Sequence, residues 1–311
     1  MIPDFQSMML PLLRQISDEK EYKVDMVVDL LAREFKITED ERKELLPSSQ
    51  VFVFKNRIQW AKSYLKKSGL INSPKRGYMK ITNAGLELLK QNITQINIAY
   101  LKKFPAFIEW RNEWKSVKKE DRQNIYETET IQSESVNMQT PDELLESSYQ
   151  SIRKDLAQDI LDKILNLSPS FFERLVVELL VKMGYGGSIQ DAGKAIQKSR
   201  DEGIDGTIKE DKLGLDVIYI QAKRWQPNNV VGRPEIHKFI GALVGQGAKK
   251  GVFITTSYFT KDASEFVPRN ETKIVLIDGI QLSQLMIDYN VGVTLQQVYE
   301  IKRIDNDYFE E

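Results

Sequence analysis

The sequence predicts a two-domain protein of mixed α+β and α/β class: helices closed by a small β-ribbon, then a mixed sheet flanked by helices. Three observations carry this reading. Apolar residues recur at helical spacing through the first part of the chain. Toward the C-terminus they fall instead into short β-like runs separated by helical stretches. Between the two lies a polar stretch, Glu127 to Gln139, that reads as an exposed linker. At 311 residues the chain is long enough for two cores. The expected division is residues 1–98, a connecting segment 99–139, and a second domain 140–311.

Leu10, Leu13 and Ile16 form a first apolar stripe, and Val24, Val27, Val28, Leu31 and Phe35 a second. A third helix, roughly Val51 to Lys67, turns Ile58, Ala61 and Leu65 inward and shows Asn56, Arg57, Gln59, Lys62, Ser63 and Lys66 on its other face. Gly69 is the expected stop. Two short strands follow around Asn72, Pro74 and Gly77, with Lys75 and Arg76 at the tip. Thr82 can cap a last helix, Asn83 to Gln91. The aromatics Phe104, Phe107, Trp110 and Trp114 read as packing between domains.

A sharp helix start follows the linker: Thr140 caps, Pro141 takes the first helical position and Glu143 completes a capping box. Leu145, Ile152, Leu156, Ile160 and Ile164 continue that helix. Ser168-Pro169 opens another, Phe171 to Met183, closed by Gly184. Strand-like runs are then expected at Ile204–Ile208, Asp216–Lys223, Gly251–Thr256 and Lys273–Asp278, with helices after Pro234 and Thr260.

Composition removes several function classes. There is no cysteine, so a disulfide framework, a thiolate zinc site and a cysteine nucleophile are all excluded. The one histidine, His237, rules out a histidine-based triad or a multi-histidine metal centre, and is expected to pack on a helix surface. No run is long and apolar enough for a membrane span and the start lacks a basic n-region, so the chain is expected in the cytoplasm. The net charge of −1 hides a strong asymmetry: residues 55–119 hold 15 Lys or Arg against 3 Asp or Glu. A local field of that size steers a polyanion more than the average charge does.

Three helices and a basic hairpin, the third helix and the hairpin lying in that segment, resemble a winged helix-turn-helix domain. In that family the third helix enters the major groove and the wing touches the backbone or minor groove. Arg57, Lys62, Lys66, Lys75 and Arg76 are the expected DNA contacts.

The chemistry is expected in the second domain. If the runs around Ile204 and Asp216 form a hairpin centred near Lys212, Asp205 lies opposite Tyr219, with Gln221 and Lys223 just beyond at the same end. Gln221 and Lys223, two apart on a strand, point the same way. One carboxylate, one amide oxygen and one ammonium can then converge, a set suited to metal-assisted phosphodiester hydrolysis: Asp205 and Gln221 as hard oxygen donors to Mg²⁺, Lys223 stabilising charge on the phosphate. Periodicity selects a fourth member. Glu178 shares a face with the charges Arg174 and Lys182, whereas Glu173 sits three and seven residues before Val176 and Leu180, on the apolar flank. Thr255, Thr256 and Ser257 end a strand before a helix, and read equally as phosphate-binding or as capping residues.

As an ordered set, Phe172-Glu173, Met183-Gly184-Tyr185, Asp201-x-Gly203-Ile204-Asp205-Gly206, Gln221-Ala222-Lys223-Arg224, Phe253-Ile-Thr-Thr-Ser257 and Ile277-Asp278-Gly279 resemble the Mrr restriction endonucleases of the PD-(D/E)xK nuclease superfamily. The resemblance covers residues 165–285. It implies a three-layer nuclease fold, a winged-helix domain ahead of it, and Mg²⁺-dependent cutting of double-stranded, typically methylated, foreign DNA. It also places Asp205, Gln221 and Lys223 in the Asp…Gln-x-Lys positions and Glu173 as the helix carboxylate, with Asp205, Gln221 and Glu173 as the metal ligands. Gln221 departs from the superfamily, where the position is usually acidic, and a neutral donor holds metal more weakly. Glu202 stands where members often have a second glycine. Cutting both strands usually requires two active sites, so a homo-oligomer is expected. The alternatives are a repair or junction-resolving nuclease, and a winged-helix regulator that only binds DNA.

Overall fold

The computed structural model describes residues 1–47, 51–119, 138–186, 203–211, 213–266, 272–305 and 308. They form two compact units, Met1–Gln150 and Ser151–Glu311.

The first unit runs α1 (Met9–Gln15), β1 (Tyr22–Lys23), α2 (Val24–Glu34), α3 (Glu39–Arg42), α4 (Val53–Lys67), β2 (Ile71–Asn72), β3 (Tyr78–Ile81), α5 (Asn83–Lys90), α6 (Ile98–Leu101) and α7 (Pro105–Lys119). Leu12, Leu13 and Ile16 meet Leu31, Ile58, Ala61 and Leu65 in one buried core. The helix faces expected from spacing are therefore the ones that pack. Gly69, at φ +73°, ends α4 in the left-handed conformation that glycine tolerates without strain. The hairpin β2–β3 gains a third strand not foreseen from the sequence, because Tyr22 and Lys23 pair with Met79 and Tyr78. Two residues are too short for a period-2 pattern to register. Thr82 caps α5 by accepting from the Gly85 backbone N–H at 3.2 Å.

The segment after residue 98 is no linker as far as it is described. Phe107 and Leu101 are fully buried in the N-terminal core, and Phe104 and Trp110 pack against it. Tyr64 of α4 meets Phe5, Phe107 and Trp110 with ring centroids 5.5–6.1 Å apart. These aromatics fill the core of one unit, which corrects the expectation that they lie between domains. The side chain of Trp114 and residues 120–137, most of the expected linker, lie outside the described residues.

Helix α8 (Pro141–Leu165) starts as expected: the Glu143 backbone N–H donates to Thr140 Oγ1 at 3.2 Å, and Glu143 Oε2 accepts from the Thr140 backbone N–H at 2.8 Å. Its apolar residues divide differently from expectation. Ile160 and Ile164 are buried, while Leu145, Ile152 and Leu156 are exposed.

The second unit continues with α9 (Pro169–Lys182), β4 (Gly206–Lys209), β5 (Val217–Lys223), α10 (Arg233–Gly245), β6 (Lys250–Thr255), α11 (Lys261–Phe266), β7 (Lys273–Ile277) and α12 (Gly279–Asp288). The sheet order is β4-β5-β6-β7, antiparallel between β4 and β5 and parallel thereafter. Side-chain alternation gives it two apolar faces. Ile208, Ile218, Ile220, Val252 and Ile254 pack under α8, α9 and α12. Tyr219, Phe253, Ile274 and Leu276 pack under α10 and α11. The result is the helix–sheet–helix sandwich that the alternating runs imply.

Candidate active site

The β4–β5 hairpin positions the site. Gly206 pairs with Ile220, Thr207 with Tyr219, Ile208 with Ile218 and Lys209 with Val217. The hairpin is therefore centred on Leu213 rather than Lys212, and Asp205 comes opposite Gln221 rather than Tyr219. The turn decides this: the Glu210 backbone N–H donates to the Asp216 carbonyl at 2.9 Å, and Gly214 turns the chain at φ +70°. A two-residue shift keeps every side chain on its expected face, so the correction tightens the cluster without dispersing it.

Asp205 lies just before β4 and ends the ladder with its side chain. Its backbone N–H donates to the Ile220 carbonyl at 2.9 Å, and its Oδ2 accepts from the Ala222 backbone N–H at 2.7 Å. Ala222 is the residue between Gln221 and Lys223, so this bond anchors the carboxylate at the middle of the Gln-x-Lys strand end. Gln221 is buried, at 4% exposure, whereas Asp205 and Lys223 are half-buried. Gly203, at φ +85°, lets the chain turn in beside Gln221, and a β-carbon there would lie 3.4 Å from Gln221 Nε2. Asp201 and Glu202 lie outside the described residues.

Glu173 sits in the second turn of α9, which Ser168 caps by accepting from the Phe171 backbone N–H at 3.2 Å. It is half-buried and Glu178 is exposed. Because α9 packs on the face carrying Ile208, Ile218 and Ile220, Glu173 comes from a different side than Gln221 and Lys223.

The donor chemistry fits a hard divalent cation. With Asp205 Oδ2 committed to Ala222, Oδ1 is left as an anionic donor, and the Gln221 amide can add a neutral oxygen. Among the described residues no three His, Cys, Asp or Glu side chains cluster.

The remaining sequence expectations divide. Thr255 Oγ1 donates to the Lys223 carbonyl at 2.9 Å and Thr256 Oγ1 to the Trp225 carbonyl at 2.7 Å. Those hydroxyls neither cap a helix nor face solvent, because both threonines are buried. Thr260 and Asp278 do the capping instead. His237 is exposed on α10, 4.2 Å from the Phe266 ring and accepting from Arg233 Nε at 3.2 Å. That is a surface packing role, as expected.

In the first unit, Gln59, Lys62, Ser63 and Lys66 of α4 line a groove with Ser73 and Gly77 of the hairpin. Burial, and then the charge of Lys66, push the Lys62 ammonium below the usual lysine range. Lys75 at the hairpin tip pairs with Glu21 at 2.9 Å and lies over the Tyr78 ring. That pairing raises Lys75 above the usual range. Arg76 stands beside it at the tip.

Arg57 is not on this groove, which corrects its expected place among the DNA contacts. Its Nε donates to Glu143 at 2.7 Å, and Nη1 donates to the carbonyls of Ile2 and Pro3 at 2.7 and 3.0 Å. Asn56 is likewise buried, donating to Asp142 and accepting from Thr140 Oγ1. On a helix Arg57 lies far round from Lys62 and Lys66. Polar residue type alone assigns all of them to one face.

Two family patterns match the chain: the Mrr N-terminal domain over residues 5–91 and the Mrr catalytic domain, a restriction endonuclease, over 164–286. The chain is 36% identical over 316 residues to the type IV methyl-directed restriction enzyme EcoKMrr of Escherichia coli (strain K12), covering 99% of each protein. Similar solved structures include the DNA modification-dependent restriction endonuclease AspBHI: TM-score 0.36, 21% identity, 45% of this chain and 36% of that one. Another is the MspJI restriction endonuclease in complex with a 27-mer oligonucleotide: TM-score 0.31, 18% identity, 69% of this chain and 49% of that one. With both family regions present in order and similarity running the full length of both proteins, the chain belongs to the Mrr family of restriction endonucleases.

Proposed function

We propose that this chain hydrolyses phosphodiester bonds of modified, methylated double-stranded DNA with Mg²⁺. The observation that carries the site is the 2.7 Å bond from the Ala222 backbone N–H to Asp205, which gathers Asp205, Gln221 and Lys223 at one strand end. The methyl-directed relative supports the substrate.

Asp205 and Gln221 would hold the cation through oxygen, and Glu173 would complete its carboxylate supply from α9. The cation's chemistry there is Lewis acidity toward phosphate oxygen. Lys223 places an ammonium beside the scissile phosphate, where it stabilises negative charge developing on the phosphoryl oxygens and orients the attacking water. Burial of Gln221 restricts water on one side of the site. Lys62 and Lys66 in the α4 groove, with Lys75 and Arg76 at the wing tip, bind the DNA backbone. Duplex cleavage requires two such sites, which a homo-oligomer supplies.

The test is to incubate the protein with Mg²⁺ and either methylated or unmethylated supercoiled plasmid, beside Asp205→Ala and Lys223→Ala. The expected result is Mg²⁺-dependent cleavage of the methylated plasmid alone, slowed by at least about 100-fold in both variants while DNA binding persists. No cleavage of either plasmid would leave a protein that only binds DNA. Cleavage indifferent to methylation would point to a repair enzyme.

A further inference from the structure

We propose that Thr255 and Thr256 are positioning residues for Lys223: their hydroxyls pin the chain on both sides of Arg224 to β6 and so set where the Lys223 ammonium points. This rests on the catalytic reading of Lys223 given above.

The β5–β6 ladder ends at the pair Lys223 and Thr255, where a strand end would ordinarily fray. Here it is over-determined. The Lys223 carbonyl accepts from Thr255 Oγ1 at 2.9 Å, from the Thr256 backbone N–H at 3.2 Å and from the Trp225 backbone N–H at 3.0 Å. Two residues on, the Trp225 carbonyl accepts from Thr256 Oγ1 at 2.7 Å. Thr255 Oγ1 also accepts from the Ser257 backbone N–H at 3.1 Å, so its own proton is directed to Lys223. Both threonines are buried, at 0% and 3% exposure, which shields their hydroxyls from water. β-Branching restricts χ1, which locks each hydroxyl in direction.

Arg224 adds a third tie, donating from Nη1 to the Leu165 carbonyl at the end of α8. A lysine reaches its phosphate through a flexible stem, so the precision of its ammonium depends on how firmly its backbone is held. Displacing a reacting group by about 1 Å can cost on the order of a hundredfold in rate.

The experiment compares Thr255→Val/Thr256→Val, which keeps shape and removes both hydroxyls, with Thr255→Ser/Thr256→Ser, which keeps the hydroxyls, and with Lys223→Ala. Single-turnover plasmid cleavage in saturating Mg²⁺, DNA affinity and thermal unfolding are measured on the full chain. The valine pair should cleave about 10- to 100-fold more slowly with DNA affinity unchanged, and the serine pair should recover most of the rate. The single valine variants carry the same comparison should the valine pair fail to fold: Thr255→Val loses the bonds to Lys223 and Ser257, and Thr256→Val the one to Trp225. A valine pair cutting at the wild-type rate while Lys223→Ala is inactive would overturn the positioning role and leave the site reading intact. A serine pair as slow as the valine pair would also overturn it, because side-chain shape rather than the hydroxyl would then decide. Wild-type cleavage by Lys223→Ala would overturn both this role and the site reading beneath it.

Discussion

Replacing Asp205 by Asn separates the structural from the chemical work of its carboxylate. The amide has the same shape, and its oxygen can still accept from the Ala222 backbone N–H that Asp205 holds at 2.7 Å. The change therefore converts a charge-assisted bond to a neutral one, worth about 1 kcal/mol of stability. That corresponds to a fall in Tm of about 2–4 °C for a unit of this size. Asp205→Ala removes the acceptor altogether and leaves the Ala222 N–H unpaired, at about 1–3 kcal/mol. Cleavage should rank the variants differently from stability. Both lose the one anionic donor paired against Gln221, and both should fall by about 10²–10³-fold, or about 2.7–4 kcal/mol of activation energy. Plasmid nicking in Mg²⁺ and thermal unfolding followed by circular dichroism measure the two effects on the same samples. Asp205→Asn cutting at close to the wild-type rate would refute the assignment of the charge to the chemistry. Asp205→Ala melting with wild type would refute the anchoring of the strand end.

The other predictions concern the first unit and the strand-end packing. Lys62 is held below the usual lysine range by burial and by Lys66, so its charge destabilises the free protein. Stability should rise with pH across the window between its lowered and its ordinary value, and DNA affinity, which needs the charge, should fall there; a flat melting profile at alkaline pH would contradict this. Lys62→Met should raise Tm at neutral pH and reduce the salt slope of DNA binding by about 0.9. Arg57→Ala should cost about 3 kcal/mol, because Glu143 is left buried at 8% exposure without its partner, yet leave the salt slope unchanged; a lowered slope would return Arg57 to the DNA face. A β-carbon at Gly279 would lie 2.4 Å from the Thr256 carbonyl oxygen. Gly279→Ala should therefore destabilise by about 1–3 kcal/mol, visible as a lowered Tm.

Much of the architecture was legible because periodicity and capping act locally. The spacing of Leu10, Val27, Leu31, Ile58 and Leu65 already specifies which faces pack, and Thr140 and Ser168 announce helix starts from neighbouring residues alone. Strand alternation likewise put Gln221 and Lys223 on one side, and helical phase separated half-buried Glu173 from exposed Glu178. What escaped depends on contacts distant in sequence. Arg57 looks like any basic helix residue until Glu143 and the carbonyls of Ile2 and Pro3 close around it. The aromatics after residue 103 carry no sign of which unit they will enter. Thr255 and Thr256 show two hydroxyls but not their acceptors, the carbonyls of Lys223 at the end of a parallel strand and of Trp225 just beyond it, some thirty residues earlier.

The sequence by itself determined the restriction-endonuclease class, through the ordered motifs of residues 165–285, and nominated Asp205, Gln221 and Lys223 as its candidate site, since they sit at hairpin spacing with alternating faces. Only the tertiary structure decided the register of that hairpin, because the turn between Glu210 and Asp216 closes through a backbone bond that no side-chain pattern records. The same holds for the bond that brings the site together: a carboxylate can find the Ala222 N–H only once the two strands lie side by side.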